Sequence, residues 1–332
     1  MTITDSEIRE GCDAIDATFN DESTLSAIAE RIAGARTYYL VGCGSSYWVG
    51  AMAAHWIREA GEDAHAVTAA EFYFGDYRVD SKTVVVAYSQ SGETTETVRA
   101  LEAVGEAGAT TATITNTAGS TLAAIADHAY VTPAGTERSV LATKSVDAAA
   151  TASYLLAMHL GDGRRERTWS AEKCQTVATA DAAAAVDVYR DAKHTYALGT
   201  GIDHALAGEA ARKLGEGPLV HATPMSAMEI SHGPRANVDG DPVLLIASDP
   251  AMVDHYEPLI EELQDAGARV VTIQPASVSL PSDASIPVPH GDPQCLYVLK
   301  AIQRVTLALA LDRDRDPDDP PSLTKHVERE DL

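Results

Sequence analysis

The chain has 332 residues, 45% of them hydrophobic, and a formal net charge of -24. This length and composition allow two domains with substantial cores, while the negative charge argues against nucleic acid or an anionic membrane as a partner. The sequence contains no run of about 18 apolar residues and no basic-then-apolar leader, so we expect a cytoplasmic protein without a membrane anchor.

The basic residues point to a saline habitat. Lysine occurs seven times, and arginine supplies the remaining 18 of the 25 basic residues. A surface rich in acidic side chains and poor in lysine repels itself, and high salt screens that repulsion. We therefore expect a halophilic protein.

The first strand is expected at Thr37 to Val41, after one or two amphipathic helices between Ser6 and Gly34. The strand leads through Gly42-Cys43-Gly44-Ser45-Ser46 into an apolar helix that ends near Glu59. This is a generic ligand loop of α/β proteins, and it lacks the third glycine of a dinucleotide-binding fingerprint. Another strand is expected near Ala64 to Thr68.

The next strand carries the most informative loop. Thr83 to Tyr88 is a β-branched, apolar run typical of a buried strand, and the polar loop Ser89-Gln90-Ser91-Gly92-Glu93-Thr94 follows it. Because helical spacing begins at Thr95, main-chain N–H groups, the helix dipole and three hydroxyls should converge on one anion. The Gly-Lys-Ser/Thr ending of a P-loop is missing, so we expect one phosphate rather than a nucleotide. The alternative is that Ser91 or Thr94 only caps the helix.

The alternation of strands and helices continues to the end of the first half. Strands are expected at Thr110 to Thr115 and at His128 to Val131, with a short helix from Thr121 to Ala126 between them. The segment Gly135 to Lys144 then leads into an Ala-rich helix from Ala148 to Leu160. Such alternation predicts a parallel, doubly wound sheet.

The pattern then occurs a second time. Thr195-Tyr-Ala-Leu-Gly-Thr-Gly mirrors Tyr38-Tyr-Leu-Val-Gly-Cys-Gly, and Pro242-Val-Leu-Leu-Ile-Ala-Ser mirrors Thr83-Val-Val-Val-Ala-Tyr-Ser. We call these copies the first and the second repeat. The second repeat has Ser248-Asp249-Pro250-Ala251 in place of the hydroxyl loop, and an aspartate there would repel phosphate. One phosphate site per chain is therefore expected.

These patterns together predict an α/β fold of two tandem, doubly wound parallel-sheet domains, each with three αβα layers. The polar stretch at residues 161–167 and a helix from Ala171 to Tyr189 connect the two. We place the first domain at residues 1–165, the second at 166–312 and a C-terminal tail at 313–332.

A long helix of the second repeat carries paired charges. Glu209 and Lys213 are four residues apart, as are Arg212 and Glu216, so each acid lies one helical turn from a base. A surface salt-bridge ladder is the ordinary interpretation of this pattern. Further on, His232 precedes Gly-Pro, which cannot continue a helix and holds the histidine in a stiff turn.

The loop from Ser89 to Thr94 resembles the phosphate loop of the sugar isomerase (SIS) family, especially that of the isomerase half of glucosamine-6-phosphate synthase and its deaminase relatives. The segments Gly135 to Lys144, Glu209 to Pro234 and Pro320 to Glu330 resemble further parts of the same pattern, so the resemblance covers nearly the whole chain. Ala142 is a departure, because a serine is usual there.

The resemblance implies which residues bind the sugar phosphate, all of them polar and most of them hydroxyl-bearing: Ser46, Ser89, Gln90, Ser91, Thr94, Thr143 and Lys144. For Lys144 the alternative is an ordinary exposed residue at the start of a helix.

The resemblance also implies catalytic roles for four residues. Glu216 would move a proton between C1 and C2, Lys213 would stabilise the developing enediolate, and His232 would open the sugar ring. Lys325 would form a Schiff base with the keto sugar, which requires a partly deprotonated amine. If Lys325 is only a solvated tail residue, the chemistry of amine transfer is lost.

The reaction that we expect is the conversion of glucosamine 6-phosphate to fructose 6-phosphate and ammonia. The chain enters the first helix of the isomerase pattern directly after Met1, so we expect no glutaminase part. The alternatives are an aldose–ketose isomerase or aminotransferase acting on another hexose phosphate, and a sugar-phosphate-binding protein without catalysis. We expect no cofactor and no metal, and the resemblance implies a homodimer with a shared active site.

Overall fold

The computed structural model of the chain describes residues 2–161, 167–238, 240–321 and 323. These residues form two compact units. The N-terminal unit comprises residues 10–138 and 142–161, and the C-terminal unit comprises residues 2–9, 139–141, 167–238, 240–321 and 323. Each unit contains one five-stranded sheet.

The sheet of the N-terminal unit is parallel throughout, with the strand order β2-β1-β3-β4-β5. Its strands are β1 (Thr37–Gly42), β2 (Ala64–Thr68), β3 (Thr83–Ser89), β4 (Thr110–Thr115) and β5 (His128–Val131). The helices up to residue 161 are α1 (Ile3–Asn20), α2 (Glu22–Ile32), α3 (Ser45–Glu59), α4 (Ala69–Phe74), α5 (Thr95–Glu106), α6 (Thr121–Ile125) and α7 (Lys144–Leu160).

The centre of this sheet explains the position of the polar loop. All seven residues of β3 are buried, as expected for a strand with neighbours on both sides and cover on both faces. Leu101 and Val104 of α5 pack into the same apolar core as Val85 of β3. The loop between them therefore opens at the carboxyl edge of the sheet, next to the β1 turn, where α/β proteins bind ligands.

The C-terminal unit repeats this topology with the order β10-β9-β8-β6-β7. Its strands are β6 (His194–Gly199), β7 (His221–Ser226), β8 (Pro242–Ile246), β9 (Arg269–Pro275) and β10 (Ala284–Val288), and all pairings are parallel. The helices after residue 167 are α8 (Ala171–Ala178), α9 (Ala183–Tyr189), α10 (Ile202–Glu216), α11 (Val253–Asp265) and α12 (Cys295–Asp312). The predicted α/β class with two doubly wound parallel sheets is confirmed.

Two details differ from the expectation. The helix expected from Ala171 to Tyr189 is split into α8 and α9. In the break between them Asp181 accepts a hydrogen bond from the Ala183 N–H at 2.9 Å, a local turn that competes with a continuous helix. Helix α7 starts at Lys144, four residues before the expected Ala148. Of the described helices, none has both the length and the apolar character needed to cross a bilayer.

Candidate functional site

The hydroxyls of the polar loop converge as expected. The Ser89 Oγ lies 3.0 Å from the Thr94 Oγ1 and 3.4 Å from the Ser91 Oγ. Within the described chain Thr94 makes no side-chain hydrogen bond that caps α5, although it directly precedes that helix. Its hydroxyl points instead to Ser89, which argues against the interpretation of Thr94 as a simple helix cap.

Main-chain contacts hold the loop in this shape. The Gly92 N–H donates to the Ser89 Oγ at 3.1 Å, and the Glu93 N–H donates to the Ser91 Oγ at 3.2 Å. The Glu93 carboxylate accepts hydrogen bonds from the N–H and the hydroxyl of Thr121, at 2.9 and 2.6 Å. The loop is thereby attached to the start of α6.

Gly92 is required for a steric reason. Its φ of +70° lies in the left-handed region, and an added Cβ would collide with the side chain of Ser120. The glycine therefore permits close packing of the loop against the segment before α6.

A cavity lies beside the loop and contains about 370 Å³ of space, part of it open to solvent. Three of the predicted binding residues, Ser46, Ser89 and Gln90, line it. The remaining lining includes polar side chains that the sequence analysis did not single out: Ser45, Thr115, Asn116, Thr132 and Ser145.

Asn116 could have been found from the sequence. It directly follows β4, the neighbour of β3, and carboxyl ends of adjacent parallel strands share one edge. Its amide donates to the Gly135 carbonyl at 2.7 Å and accepts from the Thr132 hydroxyl at 2.7 Å. Asn116 thus ties the segment at Gly135 to the rim of the cavity.

Thr143 and Lys144 are held by carboxylates. The Glu137 side chain accepts hydrogen bonds from the N–H of Thr143 at 2.7 Å and from the hydroxyl of Ser145 at 2.6 Å. The Lys144 ammonium lies 2.6 Å from the Glu10 carboxylate, and the lysine side chain is only 6% exposed. Both residues are next to the cavity-lining Ala142 and Ser145 in sequence, and their role in binding stays a prediction.

Helix α10 of the C-terminal unit brings the predicted acid and cation together. The Lys213 ammonium lies 3.1 Å from the Glu209 carboxylate and 3.7 Å from that of Glu216. Lys213 and Glu209 are buried, with 2% and 1% of their side chains exposed, whereas Glu216 is 21% exposed. Arg212 contacts the other Glu216 oxygen at 3.0 Å. The pairing predicted from the spacing is confirmed, but the Glu209–Lys213 pair is not a surface ladder.

Of the two other predicted catalytic residues, the structure describes only His232. His232 is an exposed residue at the end of a short 3-10 helix, Ala227–His232, and Gly233 follows it with a φ of 143°. Lys325 lies outside the described residues, as does most of the segment that resembles the family's C-terminus.

The chemistry available follows from these contacts. The Ser, Thr, Asn and Gln residues that line the cavity have side chains that can donate hydrogen bonds to the oxygens of a phosphate monoester. A partly exposed carboxylate beside a buried ammonium can exchange a proton while the cation stabilises a developing oxyanion. Among the described residues, no group of three or more His, Cys, Asp or Glu side chains is arranged to hold a metal ion.

Comparison with known proteins gives this arrangement a family context. Residues 31–159 match the SIS domain. A glutamine–fructose-6-phosphate aminotransferase of Aquifex aeolicus is 31% identical over 318 residues, which cover 92% of this chain and 54% of that protein. The chain thus spans about half the length of the curated relatives it matches.

Solved structures match over almost the full chain. A glucosamine-6-phosphate deaminase of Thermotoga maritima has a TM-score of 0.78 at 24% identity and covers 98% of this chain and 99% of its own. A tagatose-6-phosphate ketose/aldose isomerase of Escherichia coli has a TM-score of 0.81 at 24% identity and covers 98% of this chain and 96% of its own. These similarities show that the fold is shared.

Proposed function

Because this chain belongs to the SIS domain family, we propose that it binds a sugar phosphate and acts as a glucosamine-6-phosphate deaminase. The products are fructose 6-phosphate and ammonia. The observation that carries the proposal is the α10 cluster, in which the buried Lys213 ammonium lies 3.7 Å from the partly exposed Glu216 carboxylate. A deaminase and an isomerase are among the proteins that share this fold.

Phosphate binding is assigned to the cavity beside β1 and β3. Ser46, Ser89 and Gln90 are among the residues that line it. Ser91 and Thr94 support the position of Ser89 through hydroxyl contacts of 3.4 and 3.0 Å. A phosphate that is bound by neutral donors at a helix N-terminus needs no direct contact with a lysine.

Proton transfer is assigned to α10. After ring opening the substrate has an aldehyde at C1 and an amine at C2. Glu216 removes the C2 proton and returns it to C1, while Lys213 stabilises the negative charge on the oxygen at C1. The oxygen at C1 takes up a proton that the nitrogen loses, which leaves a hydroxyl at C1 and an imine at C2. One water molecule then converts the imine to the ketone and releases ammonia. Lys325 can displace the ammonia first by forming its own imine at C2, which water then cleaves.

Ring opening is assigned to His232, because imidazole can both donate and accept a proton near neutral pH. We propose that the protein is a homodimer and that His232 serves the active site of the neighbouring chain. Its exposed position after the 3-10 helix and before Gly233 suits a residue that reaches another subunit. The acidic, lysine-poor composition further supports activity in high salt.

An aldose–ketose isomerase is the second candidate, since a tagatose-6-phosphate isomerase has the same fold. It would use the same proton transfer between C1 and C2 without releasing nitrogen. Product analysis separates the two functions, because only the deaminase forms ammonia and fructose 6-phosphate in equal amounts.

The experiment is a coupled assay of ammonia from glucosamine 6-phosphate with the purified chain in high salt. Glu216→Gln should lower kcat by about 10²-fold or more, because general base catalysis typically contributes that much. Glu257→Gln, which changes an exposed glutamate of α11 in the same unit, should leave kcat unchanged. Full activity of Glu216→Gln would refute the assignment.

A further inference from the structure

The two repeats can be compared residue by residue at their first turns. Gly44 and Gly201 both precede the first long helix of their sheet, with nearly equal φ and ψ angles of 59° and -130° against 64° and -127°. Gly42 and Gly199 each pack closely against the residue four positions later. The strand order is also the same, so Ser46 of the first repeat corresponds to Asp203 of the second.

The same comparison equates Ser89, the last residue of β3, with Ser248, which comes two residues after the end of the corresponding strand β8. In the first repeat Ser46 and Ser89 line the cavity assigned to phosphate. In the second repeat the Asp203 carboxylate accepts hydrogen bonds from the Ser248 N–H at 2.8 Å and from the Ser248 hydroxyl at 2.5 Å. A carboxylate of the chain itself thus binds where the first repeat offers hydroxyls to a ligand.

Asp203 and Ser248 are both buried. Asp203 is 1% exposed and Ser248 is 7% exposed. Burial raises the pKa of the Asp203 carboxyl to about 7, although the hydrogen bonds from Ser248 lower it. The nearby negative charge of Asp249 also raises it. The Asp249 carboxylate itself accepts from the Ala251 N–H at 2.9 Å. In the second repeat the Asp203 carboxylate therefore lies at the position that corresponds to the phosphate site of the first repeat. The sequence had instead suggested that Asp249 repels phosphate there.

We propose that Asp203 is a positioning residue, whose carboxylate takes the place of a bound anion and fastens the start of α10 to the end of β8. Helix α10 carries Lys213 and Glu216, so this inference rests on the proposed function for its catalytic consequence. The anchor itself is a separate claim about the fold, and it can be tested without activity.

The distance over which the anchor acts follows from helix geometry. Asp203 and Glu216 are 13 residues apart on α10, which is about 20 Å at 1.5 Å per residue. The main-chain hydrogen bonds of the helix fix the rise between these two residues, so a shift at its start is transmitted along it. A small tilt or slide at its start therefore displaces the Glu216 carboxylate, and a misplacement of about 1 Å can cost roughly 10²-fold in rate.

The experiment is chemical rescue of Asp203→Ala, which keeps the Cβ and removes a group the size of formate. Without added anion, the variant should melt at a lower temperature, and the amides of residues 202–216 should exchange faster with deuterium. Its kcat should fall at least ten-fold with little change in the KM for the sugar phosphate. Sodium formate should restore all three properties, whereas sodium chloride at the same ionic strength should not.

Two further variants keep the test decisive. Asp203→Asn retains one acceptor oxygen and should lie between the wild type and Asp203→Ala. Asp265→Ala removes an exposed aspartate at the end of α11 in the same unit and should show no formate effect. The inference is overturned if formate acts equally on both alanine variants, or if Asp203→Ala melts earlier but keeps its kcat. If the wild type releases no ammonia while formate still restores Asp203→Ala stability and exchange, the anchor stands and the proposed function fails.

Discussion

The two charge pairs of α10 should differ strongly in what their loss costs. Lys213→Met keeps a side chain of similar length but removes the ammonium that lies 3.1 Å from Glu209. Arg212→Met removes the guanidinium that lies 3.0 Å from Glu216. The two substitutions are matched, since both delete the cation of a pair spaced by four residues on the same helix.

The magnitudes follow from burial. Glu209 and Lys213 are 1% and 2% exposed, so Lys213→Met leaves a buried carboxylate without its ammonium neighbour, which typically costs about 3–5 kcal/mol. Arg212 and Glu216 are 48% and 21% exposed, so water replaces the lost contact and the cost should be about 0.5 kcal/mol. Lys213→Met combined with Glu209→Leu should recover most of the loss, because an apolar pair needs no charge compensation.

Urea unfolding of the full chain, followed by circular dichroism at one high salt concentration, measures these differences as shifts of the midpoint. The midpoint should fall far more for Lys213→Met than for Arg212→Met, and the double variant should return towards the wild type. Equal shifts for the two single variants would contradict the conclusion that the Glu209–Lys213 pair is a buried structural element of the site.

Three other outcomes are expected. Ser89→Ala should raise the KM for a sugar phosphate about ten-fold or more, with little change in kcat, because it removes one hydrogen bond to a charged group; an unchanged KM would remove Ser89 from the binding site. Gly92→Ala should lower the free energy of unfolding by about 1–2 kcal/mol for its positive φ alone. Gly105→Ala in α5 should raise the free energy of unfolding by about 0.5–1 kcal/mol, because an added Cβ there meets nothing within 4 Å. Mixing inactive Glu216→Gln and His232→Ala chains should restore about a quarter of the activity after subunit exchange if the histidine serves the neighbouring chain, and none if it serves its own.

Periodicity and strand composition predicted all five strands of the first sheet, including its edge strands β2 and β5, but neither edge strand of the second sheet. Strand β3 is an unbroken buried run and was evident from the sequence. Strand β7 contains Pro224 and β10 contains Pro287, and both strands lie at the edge of their sheet, where proline is tolerated because one side needs no ladder hydrogen bond. Helix α4 has six residues, too few to establish a helical period.

The candidate site shows a similar division. The loop from Ser89 to Thr94 and the spacing within α10 were visible because their residues are close in sequence. The contact of Asp203 with Ser248 at 2.5 Å joins residues 45 positions apart, and a single sequence carries no local signal for it. The contact of Glu137 with Ser145 at 2.6 Å depends on how the segment before α7 folds back on the start of that helix, which hydrophobic periodicity does not reveal. Burial of Glu209 and Lys213 was also hidden, since an (i, i+4) pair has the same spacing on a surface helix.

The most direct test of the central claim is the release of ammonia from glucosamine 6-phosphate by the purified wild-type chain in high salt, with fructose 6-phosphate measured in the same reaction. The account predicts that the two products form in equal amounts and that Glu216→Gln slows the formation of both by about 10²-fold or more. The absence of ammonia, or conversion of the substrate to another sugar phosphate without ammonia, would contradict the deaminase assignment, and an active Glu216→Gln variant would contradict the role given to α10.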